Sequence, residues 1–66
     1  MPYDSNEALP PKVKDHLPEH AQSIFRKAFN AAHEEYGEEE TAFKVAWAAV
    51  EREYEKDAEG KWVKKD

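Results

Sequence analysis

The sequence predicts a small α+β domain that is mainly α, with a helical hairpin, one short N-terminal helix and a minor two-stranded sheet formed by the chain ends. Two long segments repeat apolar residues at helical spacing, and a single glycine, Gly37, separates them. Aromatic segments without helical spacing lie near both ends of the chain. The 66 residues suit one domain, 1–66, since a chain this short buries only about 60% of its unfolded surface.

The first long helix is predicted at about 18–36, and Gly37 supplies the left-handed residue that commonly ends a helix. A short helix over 12–16 precedes it, because Pro11 and Pro18 each suit a first helical turn. The apolar side of the long helix comprises Leu17, Ala21, Ile24, Phe25, Ala28, Phe29, Ala32 and Tyr36. The polar side comprises Ser23, Arg26, Lys27, Asn30, His33 and Glu34. This amphipathic pattern predicts that the apolar side faces a core.

The second long helix is predicted from about 38–40 to Lys56, with three glutamates at its start that complement the positive end of the helix dipole. Its wide apolar stripe comprises Phe43, Ala46, Trp47, Val50 and Tyr54. A narrower stripe on nearly the opposite side comprises Ala42, Val45 and Ala49. We expect the wide stripe to meet the preceding helix. The small residues of the narrow stripe would permit close approach of another part of the chain or of a partner.

The C-terminal residues 61–64 are predicted to form a strand, because aromatic and β-branched residues favour strands. A lone strand is not stable, so we expect it to pair with the other extended aromatic segment, residues 2–4. A frayed tail is the alternative. Trp62 either packs on the helices or is an exposed anchor for a partner.

The chain contains no catalytic or cofactor-binding motif. It has no cysteine and only two glycines, which excludes a thiolate nucleophile and a glycine-rich phosphate loop. We therefore expect no enzyme activity, no cofactor and no small-molecule substrate. His16 and His20 have the spacing of helical metal ligands, but Pro18 separates them. Together with His33 they are interpreted as ordinary surface or capping histidines.

The net charge of −5 favours basic partners and weakens the case for nucleic acid or anionic lipid. The first residues do not resemble a signal peptide, and no apolar run approaches the roughly 20 residues needed to cross a bilayer. A cytoplasmic protein is therefore expected. Five glutamates, which we call the acidic segment, surround Gly37: Glu34, Glu35, Glu38, Glu39 and Glu40. They are interpreted either as a solvated turn or as a docking surface for a basic partner.

Five lysines lie toward the two ends of the chain: Lys12, Lys14, Lys61, Lys64 and Lys65. If the chain ends pair, these lysines would gather into one positive patch that could contact phosphate. Alternatively, they are solubilising charges that protect an exposed strand edge.

The segments LPPKVKDHLPEHAQSIFRKAFNAA and EETAFKVAWAAVEREY, preceded by MPY and followed by KW and a lysine pair, closely resemble the ChaB family. The resemblance covers nearly the whole chain and implies a small fold of helices with a minor sheet. Relatives are described as regulators of cation transport, largely because the gene lies beside that of a sodium/calcium–proton antiporter. The resemblance brings no catalytic residues. Some relatives carry a longer charged insertion between the main helices, where this chain has only Gly37 and the glutamates.

These observations support a first hypothesis, a cytoplasmic interaction module that regulates a membrane cation antiporter. The acidic segment would meet the Lys- and Arg-rich loops at the cytoplasmic face of the transporter. The alternative is a nucleic-acid-associated accessory protein that uses the basic patch. A purely structural module is the third reading.

Overall fold

The computed structural model describes residues 3–65 of the chain. In chain order the elements are a 3-10 helix at Asn6–Ala8, the helices α1 (Pro11–Lys14), α2 (Glu19–Tyr36) and α3 (Glu39–Glu53), and the strands β1 (Tyr54–Lys56) and β2 (Trp62–Lys64). The two strands form an antiparallel sheet. The architecture confirms the predicted α+β class with its helical hairpin, short N-terminal helix and minor sheet.

The helices α2 and α3 form a hairpin around Gly37. This glycine has a φ of 71°, and its N–H donates to the His33 carbonyl oxygen at 2.8 Å, which ends α2. Apart from the glycine itself and its two neighbours in the chain, no atom lies within 4 Å of the position that a Cβ on Gly37 would occupy. The left-handed backbone, and not a lack of space, therefore favours glycine at this turn.

Apolar side chains of α2 and α3 meet in one core. Phe25 and Phe29 are fully buried. The Trp47 ring centroid lies 5.1 Å from that of Phe25, and the Phe43 centroid lies 4.9 Å from that of Phe29, both edge to face. The buried residues are Leu9, Val13, Leu17, Ala21, Phe25, Phe29, Ala32, Ala42, Ala46, Val50 and Tyr54. The helix α1 and its flanking leucines therefore belong to the same core as the hairpin.

The predicted faces of the two long helices are largely correct. The wide stripe of α3 meets α2, since Phe43 and Trp47 pack on aromatic rings of that helix. Two residues need correction: Ala42 of the narrow stripe is fully buried, and Tyr36 of the apolar side of α2 is 54% exposed. Val45 of the narrow stripe is 38% exposed, and approach of a partner to it stays a prediction.

The helix α3 ends at Glu53 and not at Lys56, because the next three residues form β1. In the register of the sheet, Tyr54 lies opposite Lys64, Glu55 opposite Val63, and Lys56 opposite Trp62. The Lys65 N–H also donates to the Glu53 carbonyl oxygen at 2.8 Å. Pairing with β2 thus takes up the backbone groups that a longer helix would have used.

The predicted pairing of residues 61–64 with the N-terminus is wrong, since β2 pairs with the segment just after α3. Pro2, part of the predicted N-terminal strand, lies outside the described residues. The Asp57 carboxylate shapes the connecting loop by accepting the N–H groups of Glu59 and Lys61, each at 2.9 Å. Closing this short loop costs less chain entropy than joining the two chain ends.

The N-terminal segment lies along α2 instead. The Asn30 side chain accepts the Tyr3 N–H at 2.9 Å and donates to the Tyr3 carbonyl oxygen at 2.8 Å. The Tyr3 ring packs on Phe29 with 4.9 Å between centroids. Asn6 is fixed in a similar way, because its Oδ1 accepts a hydrogen bond from Arg26 Nε at 2.9 Å. Polar residues of α2 therefore hold the N-terminal segment that the sheet was expected to hold.

Candidate functional site

The acidic segment lies at the end of the hairpin where α2 turns into α3. All five of its glutamates are exposed. Among residues 3–65, the one ion pair joins Lys44 Nζ to Glu40 Oε1 at 3.9 Å, with side chains that are 78% and 87% exposed. An exposed pair of this kind contributes only about 0.3–0.5 kcal/mol. The carboxylates are thus in water, and their role as a docking surface stays a prediction.

Tyr3 is affected by the charge of this segment. Burial, and after it the Glu39 carboxylate, raise the pKa of the Tyr3 hydroxyl above its ordinary value. Both effects act in the same direction, because each disfavours the negatively charged phenolate. The N-terminal segment is therefore electrostatically coupled to the start of α3.

An open groove of about 520 Å³ lies at the opposite end of the hairpin. Its lining consists of Lys12, His16, Trp47, Glu51, Lys56 and Trp62. The two indoles stack with 5.7 Å between ring centroids and 28° between their planes. Lys56 Nζ lies 5.6 Å from the Trp62 centroid, within cation–π distance. We call this feature the tryptophan groove.

The five predicted basic residues depended on a pairing of the chain ends that does not occur. Lys12 lines the tryptophan groove, and Lys65 lines a neighbouring groove that shares Trp62 with it. Lys14 lies elsewhere, where its Nζ donates to the Glu7 carbonyl oxygen at 3.2 Å. The remaining two, Lys61 and Lys64, are exposed in the strand hairpin. The premise of paired chain ends is wrong, and phosphate binding by these lysines stays a prediction.

Lys56 is a groove residue that the sequence interpretation missed, because it was placed at the end of a helix. It faces Trp62 directly across the sheet. The signal that could have identified it is the turn around Glu59 and Gly60, with an aromatic residue on each side at Tyr54 and Trp62. Such a pattern is typical of a β-hairpin.

The three histidines do not come together. His20 lies 6.3 Å from the Tyr54 ring, His33 stacks on Phe29 at 5.8 Å, and His16 lines the tryptophan groove. Within residues 3–65 there is no cluster of three side chains that could hold a metal ion. The helices in the same part of the chain include none with the length and apolarity needed to span a membrane.

Comparisons with known proteins agree on one family. The ChaB family model matches residues 9–65. A protein of Escherichia coli strain K12 named "Putative cation transport regulator ChaB" is 48% identical over 75 aligned positions, which cover 98% of this chain and 99% of the relative. A Shigella flexneri protein of the same name has the same identity and coverage. An NMR structure of a protein with this name superposes with a TM-score of 0.88 at 47% identity, covering 98% of this chain and 100% of the other.

The Escherichia coli alignment also indicates a difference in length. It spans 75 positions against the 66 residues of this chain. The relative therefore has at least nine residues without a counterpart here.

Proposed function

The chain belongs to the ChaB family, and on that premise we propose that it is a small regulatory interaction protein that acts on a membrane cation transporter. The printed name of its relatives, a regulator of cation transport, supports this class of target. The finer proposal is that the target is a sodium/calcium–proton antiporter and that contact occurs at its cytoplasmic face.

The observation that carries this proposal is the exposure of the acidic segment. Five carboxylates are exposed at one end of the helical hairpin, and only Glu40 has an ion-pair partner within residues 3–65. Cytoplasmic loops of membrane proteins are enriched in Lys and Arg. Complementary charge would steer such a loop to this end of the molecule and would make association sensitive to salt.

The proposal is tested with peptides that carry the basic cytoplasmic loops of a cation antiporter encoded in the same genome. We expect binding that weakens as salt rises. Replacing Glu38, Glu39 and Glu40 by lysine should reduce the affinity at low salt at least about tenfold, since like charges then face each other across the contact. Binding is measured by fluorescence anisotropy, and ion flux is measured in vesicles that contain the antiporter.

The matched control replaces Glu53, Glu55 and Glu59 by lysine. These glutamates are equally exposed but lie near the strand hairpin, at the other end of the molecule. Both triple variants change the net charge by the same amount, so only a local contact distinguishes them. Circular dichroism establishes that each variant is folded. Equal loss of binding in the two variants, or unchanged binding and ion flux in the first, would contradict docking through the acidic segment.

The nucleic-acid alternative remains a second proposal with less support. It required the five lysines to share one surface, and Lys14 lies in a different groove from Lys12 and Lys65. A gel-shift titration at two salt concentrations tests it, because phosphate contacts weaken steeply with salt.

A further inference from the structure

The tryptophan groove is a concave surface with an unusual concentration of aromatic area. Its volume of about 520 Å³ falls within the roughly 300–1,000 Å³ that small-molecule sites occupy. Both tryptophans of the chain line it, and both are only half-buried, so part of each indole remains in contact with water. The parts of the indoles that contact water can pack on a planar apolar part of a ligand.

The charge of the groove is opposite to that of the whole chain. Lys12 and Lys56 contribute two ammonium groups, while Glu51 contributes the one carboxylate of the lining. The chain as a whole carries a net charge of −5. The groove is therefore a place on an acidic protein where an anion meets more positive than negative side chains.

The cations of the groove suit a phosphate. Both are lysines, Lys12 and Lys56. A lysine ammonium acts as a point charge and is a common phosphate ligand. A nucleotide combines a planar ring and a phosphate in one small molecule.

We propose that the tryptophan groove binds a mononucleotide, with the base packed against the indoles of Trp47 and Trp62 and the phosphate held between Lys12 and Lys56. This assigns a small-molecule ligand to a chain whose sequence indicates none. The site is independent of the acidic segment. It lies at the other end of the hairpin, since Glu40 and Glu51 are separated by roughly 16 Å along α3.

A free nucleotide fits this surface better than a nucleic-acid strand. Glu55 lines the neighbouring groove that shares Lys56 and Trp62 with this one, and the exposed Asp57 and Glu59 follow in the loop after β1. A strand that continued beyond the groove would bring further phosphates toward these groups. A single small anion meets less of that repulsion, whereas a longer polyanion needs a continuous basic track.

Intrinsic fluorescence provides a direct test, because the two tryptophans of the chain are the two in the groove. The full chain is titrated with AMP at the red edge of tryptophan absorption, with adenosine and ribose 5-phosphate as the two halves of the ligand. We expect saturable quenching by AMP. Each half should bind at least about tenfold more weakly, because stacking and phosphate contacts each contribute that much.

The lysine contribution is tested with a Lys12→Gln, Lys56→Gln double variant. It should weaken AMP binding about tenfold or more while leaving the weak binding of adenosine unchanged, since adenosine carries no phosphate. The matched control is Lys44→Gln on the far part of α3, which should bind AMP as the parent does. Far-UV circular dichroism establishes that the variants are folded.

Four results would overturn the proposal. They are the absence of saturable quenching by AMP, equal affinity for AMP and adenosine, equal effects of the groove and control variants, and affinity that rises steadily with the length of an oligodeoxynucleotide. The last result would assign the groove to single-stranded nucleic acid. Quenching by an acidic peptide but not by AMP would assign it to a protein partner instead.

Discussion

At the scale of single residues, polar side chains on α2 form hydrogen bonds with the N-terminal segment. Asn30 satisfies both backbone groups of Tyr3, and Asn6 connects Ser23 and Arg26 through its side chain. Hydrogen bonds of this kind contribute about 1 kcal/mol each, and a buried group left without its partner costs more. These contacts explain why the N-terminal segment is ordered without belonging to the sheet.

Tyr3 should make stability depend on alkaline pH. Its pKa is raised in the folded state by burial and then by Glu39, whereas the unfolded chain has the ordinary value of about 10. The stabilising contribution is thus fully present below about pH 10, and it is lost as pH rises through the folded pKa. We expect the free energy of unfolding in urea to fall more steeply above about pH 10 in the parent than in Tyr3→Phe.

The difference between the two proteins isolates this one hydroxyl, because every other residue is the same in both. Tyr3→Phe keeps the ring that packs on Phe29. Parallel curves for the parent and the variant across the alkaline range would show that the Tyr3 hydroxyl does not ionise differently on unfolding.

At the scale of elements, the left-handed turn at Gly37 allows a short connection between α2 and α3. Gly37 has a left-handed φ of 71°, and the space that a Cβ would occupy is open. Gly37→Ala should therefore lower the free energy of unfolding by about 1–2 kcal/mol through backbone strain alone. Gly37→Asn should cost less, because asparagine adopts this conformation more readily than alanine.

Urea denaturation of the three proteins checks the order glycine, asparagine, alanine. The comparison is clean because a Cβ at this position meets no atom within 4 Å. If the alanine variant is as stable as the parent, the turn adopts another backbone conformation in solution.

The strand hairpin of β1 and β2 shows that strand pairing can end a helix whose residue pattern continues. The residues 54–56 continue the apolar and charged pattern of α3, yet they form β1 because β2 lies only five loop residues away. The Asp57 side chain and the positive φ of Gly60 shape the connection. When the strands are paired, Trp62 stacks on Trp47, so two indoles connect the sheet to the helical hairpin.

At the scale of the whole molecule, one core connects the N-terminal segment, both long helices and β1, and it ends before the acidic segment. Phe25 is at its centre with no exposed surface, whereas Tyr36 is 54% exposed. Phe25→Ala should lower the free energy of unfolding by about 3–5 kcal/mol. Tyr36→Ala should change it by no more than about 0.5 kcal/mol.

Thermal and urea denaturation of both variants test whether the core ends before the acidic segment. A chain of 66 residues has a total stability of only roughly 3–10 kcal/mol. Phe25→Leu is therefore added as a milder variant that should remain folded and still lose stability. A large loss for Tyr36→Ala would mean that the core extends into the acidic end.

The mainly helical class, the two long helices, the turn at Gly37 and most of the core follow from the local pattern of residues. These features depend on local periodicity and on one residue's backbone freedom, which neighbouring residues alone establish. The burial of Ala42, the place of the N-terminal segment and the choice of paired strands depend on tertiary contacts. Each of these is a competition between similar apolar or extended surfaces far apart in the chain. Loop entropy and close packing in three dimensions resolve it, and the same packing brings Lys12, Lys56 and the two tryptophans to one groove.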